Sequence, residues 1–174
     1  LATIFMLFPG LLAGSGSSSD TPRIHHDLEV TLSPSKSFIH VRDTVHLPSI
    51  APGKKIHKIH FLLHGGLELF SAPKDVEIKE ETGELKSEYF GINTASFEIK
   101  SKIPLKHYSL RFKKGSAGKR KITIEYKGKI DHAVKKTSAE YARGFSETPG
   151  VIEKRGVYLA GSTFWVPWFN DDLF

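Results

Sequence analysis

Short runs with apolar residues at every second position, broken by turn residues, constrain this chain more than any other feature. Successive side chains of a β-strand point to opposite faces, so each run has one face for a core and one for water. Residues 25–32 place Leu28, Val30 and Leu32 on one face. Residues 38–47 place Ile39, Val41, Asp43, Val45 and Leu47 together, and Asp43 breaks the apolar series, which predicts a bulge or a sheet edge there. Between these runs Ser33-Pro34-Ser35-Lys36 reads as a turn, because proline presets φ and serine favours turn starts. Further runs lie at 55–64, 67–70, 76–79, 96–100, 108–113 and 120–130, with Gly65-Gly66, Gly115 and Gly118 as turn residues. Residues 80–92 read as a polar hairpin-like region, and only 134–143 carries a weak helical pattern. Seven or eight short strands with regular turn signals predict an all-β fold, an antiparallel sandwich or sheet pair.

A chain of 174 residues suits one domain and can bury a core without covalent staples. It has no cysteine, which excludes disulfides and cysteine-ligated metal sites. The net charge of +6 is uneven: residues 100–136 hold thirteen Lys or Arg against two acids, so the rest of the chain sums to −5. Such a stretch is either an anion-binding surface or the solvated faces and turns of strands. Its lysines alternate along strands and flank glycines, and aromatic residues for base stacking are few, so no nucleic-acid partner is expected.

Residues 1–14 are apolar and uncharged and run into Ser15-Gly16-Ser17-Ser18-Ser19. That is an apolar stretch of signal-peptide length followed by small residues, too short for a stable membrane span, with a buried helix or strand as the alternative reading. There is no initiating Met and no basic leader, so a truncated start is expected. The expectation is therefore an exported protein, with 1–19 a signal-peptide-like segment and 20–174 the β-sandwich domain.

Nine histidines raise the question of a metal. His57, His60 and His64 are the closest set; on a strand His60 and His64 share a face and His57 points away. A zincin helix needs Glu directly after its first His, and Phe61 stands there instead. Strand histidines, exposed or paired, are expected, with no metal site in this chain. No Gly-x-Ser-x-Gly elbow, cysteine nucleophile or phosphate-binding glycine loop is present. Asp171-Asp172 is an acid pair that reads as solvated. These residues alone do not assemble an enzyme. The aromatic segment from Gly161, Ser162, Thr163, Phe164 and Trp165 to Trp168 holds both tryptophans. With Pro167 it forms no long helix or central strand, and it reads as a core plug, an inter-domain contact or a ligand wall.

The order of these pieces resembles the N-terminal domain of the aminopeptidase N family of zinc metallopeptidases, of the exported bacterial type. Residues 26–34 with 38–45 resemble that family's first hairpin, and 56–69 its strand pair. Ile122-Thr123-Ile124-Glu125-Tyr126-Lys127-Gly128-Lys129-Ile130 resembles its "L-x-I-x-Y-x-G-x-I" strand, and 156–162 with Trp165-Val166-Pro167 the segment leading toward the active site. The resemblance, over about 24–174, implies an antiparallel saddle-like β-sandwich of roughly seven to ten short strands, a non-catalytic domain that shapes the substrate cleft of a peptidase acting on peptide N-termini. The zinc and the catalytic residues would sit in a downstream catalytic domain, absent from this fragment, which with the peptide substrate is the expected partner. Many members place a glutamine in a Thr-Gln-Phe-like context where this chain reads Gly161-Ser162-Thr163-Phe164, and no catalytic residue carries over. Gly161, Ser162, Thr163, Phe164, Trp165 and Trp168 are the expected cleft or interface residues. The alternative is a free-standing exported sandwich that binds carbohydrate, peptide or a protein partner.

Overall fold

The computed structural model describes residues 23–48, 58–82, 104–113, 121–132 and 150–170. The signal-like segment, His57, the run at 96–100, the weak helical pattern at 134–143, most of the 80–92 region and the acid pair Asp171-Asp172 lie outside the described residues.

The strands are β1 (His25–Ser33), β2 (Phe38–His46), β3 (Ile59–His64), β4 (Leu67–Ser71), β5 (Val76–Glu80), β6 (Leu105–Phe112), β7 (Lys121–Lys129), β8 (Val151–Glu153), β9 (Gly156–Tyr158) and β10 (Trp168–Phe169). They form one four-stranded sheet in the order β1-β2-β7-β4, a second in the order β10-β3-β6-β5, and the hairpin β8-β9. Every strand pairing is antiparallel. The two large sheets share one core, with Val41, Val45, Ile124 and Tyr126 from the first facing Phe61, Leu63, Tyr108 and Leu110 from the second. This is the expected antiparallel sandwich.

β1 and β2 pair from His25↔His46 to Ser33↔Phe38 without a slip. Their connection is the expected turn at Pro34–Lys36, closed by Ser37 in the left-handed region at φ 51°. Asp43 departs from expectation. Its strand is internal, paired to β1 at Leu28 and to β7 at Ile124 in continuous register, so it marks neither a bulge nor an edge. The irregularity falls instead in β4, between Leu69 and Ser71. Asp43 is a fully buried carboxylate inside the sandwich.

The stretch resembling a strand pair is also divided differently. β3 and β4 do not pair; β3 joins the second sheet and β4 the first. Gly65-Gly66 therefore carries the chain from one sheet to the other, and the crossing is tight. A Cβ on Gly66 would lie 2.2 Å from the Lys129 carbonyl oxygen, and one on Gly128 would lie 1.9 Å from the Gly66 carbonyl oxygen. Only glycine permits that approach of two backbones. The Lys129 N–H donates to the Gly66 carbonyl at 3.1 Å and closes the crossing.

β3 is buried on both faces. Ile59, Phe61 and Leu63 face the core, and Leu62 and His64 on the other face are equally covered. The segment 159–170 lines the free edge of β3 by backbone pairing, and this positions the site described next.

Candidate functional site

The segment 159–170 runs antiparallel beside β3. The His64 N–H donates to the Phe164 carbonyl at 2.8 Å, and β10 then pairs Trp168 with Leu62 and Phe169 with Phe61. A single 3-10 turn, Gly161–Thr163, sets the direction. The Thr163 hydroxyl donates to the Ala160 carbonyl at 2.7 Å, and the Phe164 N–H to the Gly161 carbonyl at 3.2 Å. Phe164 itself is left-handed at φ 56°, a conformation rare for a bulky residue. It is held because the Phe164 ring is buried, and burying such a ring stabilises by roughly 1.5–3 kcal/mol.

The six expected cleft residues thus divide. Thr163 and Phe164 are buried and fix the segment to the sandwich. Trp165 packs against the main core. Gly161 is exposed, with open space where a Cβ would stand, and Ser162 lies in the same turn. Trp168 alone presents a large apolar face to solvent, 41% exposed, with the Phe164 ring edge-on at 6.0 Å.

Trp168 borders a hollow of about 120 Å3 that it shares with Ile24, His26, Pro167 and Phe169. The hollow opens where β1, the edge of the first sheet, meets β10, the edge of the second. The His26 and Phe169 rings stand 5.9 Å apart across it. Behind it lies Asp43, whose Oδ2 is 2.9 Å from His26 Nδ1. Among the described residues the other carboxylate oxygen, Oδ1, has no hydrogen-bond partner, nor has the buried Tyr126 hydroxyl. Burial and then the Asp43 charge push the Tyr126 phenol far above its ordinary value, so it stays neutral. Sequence reasoning noted His26 and Asp43 singly and missed the pair. The signal was available: in a hairpin of this register a carboxylate on the apolar face of β2 sits diagonally across from His26 on β1.

A second polar group lies on the outer face of the second sheet. His60 Nδ1 and His107 Nε2 are 2.7 Å apart. Burial holds the His60 imidazole below its usual range, and the charges of His107 and Lys58 add to this against the opposing Glu81. His107 is lowered chiefly by burial, with Glu81 opposing. Glu81 is held at about 2 by hydrogen bonds from Lys58 and Ser109. A hollow of about 250 Å3 beside the pair is lined by Lys58, Glu77, Lys79, Glu81, Ser109 and Arg111. Its charges pair among themselves, Lys58 with Glu81 at 2.5 Å and Lys79 with Glu77 at 2.9 Å. Lys58, Lys79 and Arg111 against Glu77 and Glu81 leave this face one positive charge in excess.

Among the described residues no three His, Asp or Glu side chains converge on one point. The buried His64 has both ring nitrogens engaged, Nδ1 accepting from the Gly66 N–H at 2.9 Å and Nε2 at 3.1 Å from His132 Nε2. An Nδ1 that accepts leaves the ring proton on Nε2, where a metal would need a lone pair.

The described cations of the basic stretch are divided between two sheets. β6 and β7 belong to different sheets. Lys106 and Lys113 donate to the backbone carbonyls of Leu67 and Lys74, and Lys127 lies 4.5 Å from the centre of the Phe70 ring. Among the described residues no helix is long and apolar enough to cross a membrane. Compared with family models, curated proteins and solved structures, the chain matches none.

Proposed function

We propose that this chain is a non-catalytic β domain of an exported zinc aminopeptidase-like protein, and that it forms one wall of a peptide-binding cleft. The order of sequence pieces that resembles the aminopeptidase N family motivates the reading. The observation that carries it is the anchoring of the segment 159–170: Thr163 and Phe164 are buried, the backbone is hydrogen-bonded along β3, and Trp168 is left facing outward. A segment whose base is buried while one tryptophan stays 41% exposed supports a contact role for that tryptophan. Zinc chemistry would belong to residues outside this chain, and no step of it involves the residues described here.

The reading is tested with two purified proteins, residues 20–174 and the product of the whole coding frame that contains them. Leucine and alanine p-nitroanilides serve as substrates, with and without a zinc chelator. The expected result is chelator-sensitive hydrolysis by the longer product and none by residues 20–174. Hydrolysis by residues 20–174 alone, or none by either protein, overturns it. In the second case the exposed Trp168 favours the other reading, a free-standing sandwich that binds peptide, carbohydrate or a protein partner.

A further inference from the structure

We infer that the outer edge of β1 pairs antiparallel with β1 of a second copy of this chain, about a two-fold axis at Val30, and so joins the two first sheets into one. Among the described residues the edges of the two large sheets are unequal. β10 has two residues, β5 has five with Lys79 between Glu77 and Glu80, and β4 is broken by the irregularity between Leu69 and Ser71. Short, lysine-bearing or irregular edges resist pairing with another chain. β1 is none of these: it runs nine residues in unbroken register with β2, with no lysine and no proline. Its two acids are met from β2, Asp27 by His46 Nε2 at 2.7 Å and Glu29 by Arg42 directly across the ladder. Glu29, Val30, Thr31 and Leu32 are all exposed, and Val30 and Leu32 lie on the face whose Leu28 packs against the core.

The ladder fixes which backbone groups reach that edge. The Ile130 N–H donates to the Ser37 carbonyl at 3.0 Å, in the register that pairs Phe38 with Lys129. Odd-numbered residues of β2 therefore turn their N–H and C=O toward β7, and even-numbered ones toward β1. Through the pairs His40↔Thr31 and Arg42↔Glu29, odd-numbered residues of β1 answer them, so Leu28, Val30 and Leu32 aim their N–H and C=O outward. A two-fold axis perpendicular to the sheet keeps both apolar faces on one side, which confines it to a residue position. At Glu29 it would set the two Glu29 side chains directly opposite, and at Leu28 it would set Asp27 against Glu29 twice; like charges so placed destabilise. At Thr31 the pairing would run into Pro34 sooner and be shorter. At Val30 it sets Val30 opposite Val30, Leu28 opposite Leu32, Glu29 opposite Thr31 and Asp27 opposite Ser33. The outward-aimed residues then meet one another in three hydrogen-bonded pairs, and the exposed valines and leucines adjoin across the seam. No acid faces an acid directly; the two Glu29 side chains are diagonal neighbours, each opposite Arg42 of its own β2.

This pairing is independent of the peptidase reading, and neither stands or falls with the other. The test is sedimentation equilibrium of the 174-residue chain from about 5 to 500 µM, a range around the Kd on the order of 50 µM expected of a small interface. The expected result is a reversible rise from one chain to two. Val30→Pro removes an outward N–H without touching the β1–β2 ladder, and should weaken association by about tenfold or more. Val30→Lys sets two cations together on the axis from an exposed position, and should do the same. Circular dichroism checks that both variants keep the β fold, and Val30→Lys decides alone if the proline disturbs it. The register has its own readout, because the chain has no cysteine. An equal mixture of Glu29→Cys and Thr31→Cys proteins should oxidise to a disulfide-linked pair several-fold faster than either protein alone. A single chain at every concentration overturns the proposal, as does growth beyond two chains. So does a dimer that the folded Val30 variants leave unweakened, or cross-linking no faster in the mixture than in its separate components.

Discussion

Replacing His26 with alanine removes the only hydrogen bond that reaches the Asp43 carboxylate among the described residues. Asp43 is fully buried, whereas the side chain of His26 is 18% exposed. The two members of the pair therefore carry unequal costs. Loss of the histidine strands a carboxylate in an apolar sandwich, and breaking a buried pair from one side costs about 3–5 kcal/mol. Water can enter through the adjoining hollow, so the lower end, about 3 kcal/mol, is the expectation for His26→Ala. Asp43→Val removes the charge itself, fills the space with a residue suited to the strand, and leaves a histidine that solvent can reach; the expected cost is within about 1 kcal/mol. The double variant should resemble Asp43→Val, which gives a coupling of roughly 2–3 kcal/mol across the cycle. Urea denaturation followed by circular dichroism reads all four proteins, and a shifted midpoint at constant slope isolates stability. A cost below about 0.5 kcal/mol for His26→Ala, or a larger cost for Asp43→Val than for His26→Ala, refutes the account of a buried carboxylate held by one partner.

Gly128→Ala should prevent folding or cost more than about 3 kcal/mol, because its Cβ would meet a backbone oxygen at 1.9 Å, while Gly161→Ala, with open space around it, should change stability by no more than about 0.5 kcal/mol; thermal melts of both variants check the contrast. Stability should fall as pH drops below 6.5, the ordinary histidine value from which His60 and His107 are lowered. The unfolded chain binds those protons first, so the loss develops between that pH and the lowered folded-state values. Urea midpoints across that range should decline less steeply for His60→Asn than for the unaltered protein, and an equal slope would contradict the assignment.

The parts of the fold that could be read from sequence are those set by local alternation. β2 and β7 each bury every second residue, and their inward faces were plain from the spacing of Ile39, Val41 and Val45 and of Ile122, Ile124 and Tyr126. Membership of sheets was not legible, because alternation states which face is apolar and says nothing about the neighbouring strand. β3 and β4 therefore read as a pair, although the consecutive apolar residues Phe61-Leu62-Leu63 carried a hint of a strand covered on both sides. Asp43 read as a defect because a lone carboxylate is costly in a core; only the register with β1 reveals the histidine that makes it tolerable. In the aromatic segment composition left a core plug, an inter-domain contact and a ligand wall all open, and it could not separate the buried Phe164 from the exposed Trp168. That division follows from the turn at Gly161–Thr163 and the left-handed Phe164.

The central claim is that this sandwich serves a zinc peptidase whose chemistry lies outside the described residues. The most direct measurement is the coding sequence that follows the Phe174 codon. The account predicts a continuing frame that encodes Gly-x-Met-Glu-Asn and then His-Glu-x-x-His with a more distant glutamate. An immediate stop codon, or a continuing frame without those zinc ligands, contradicts it.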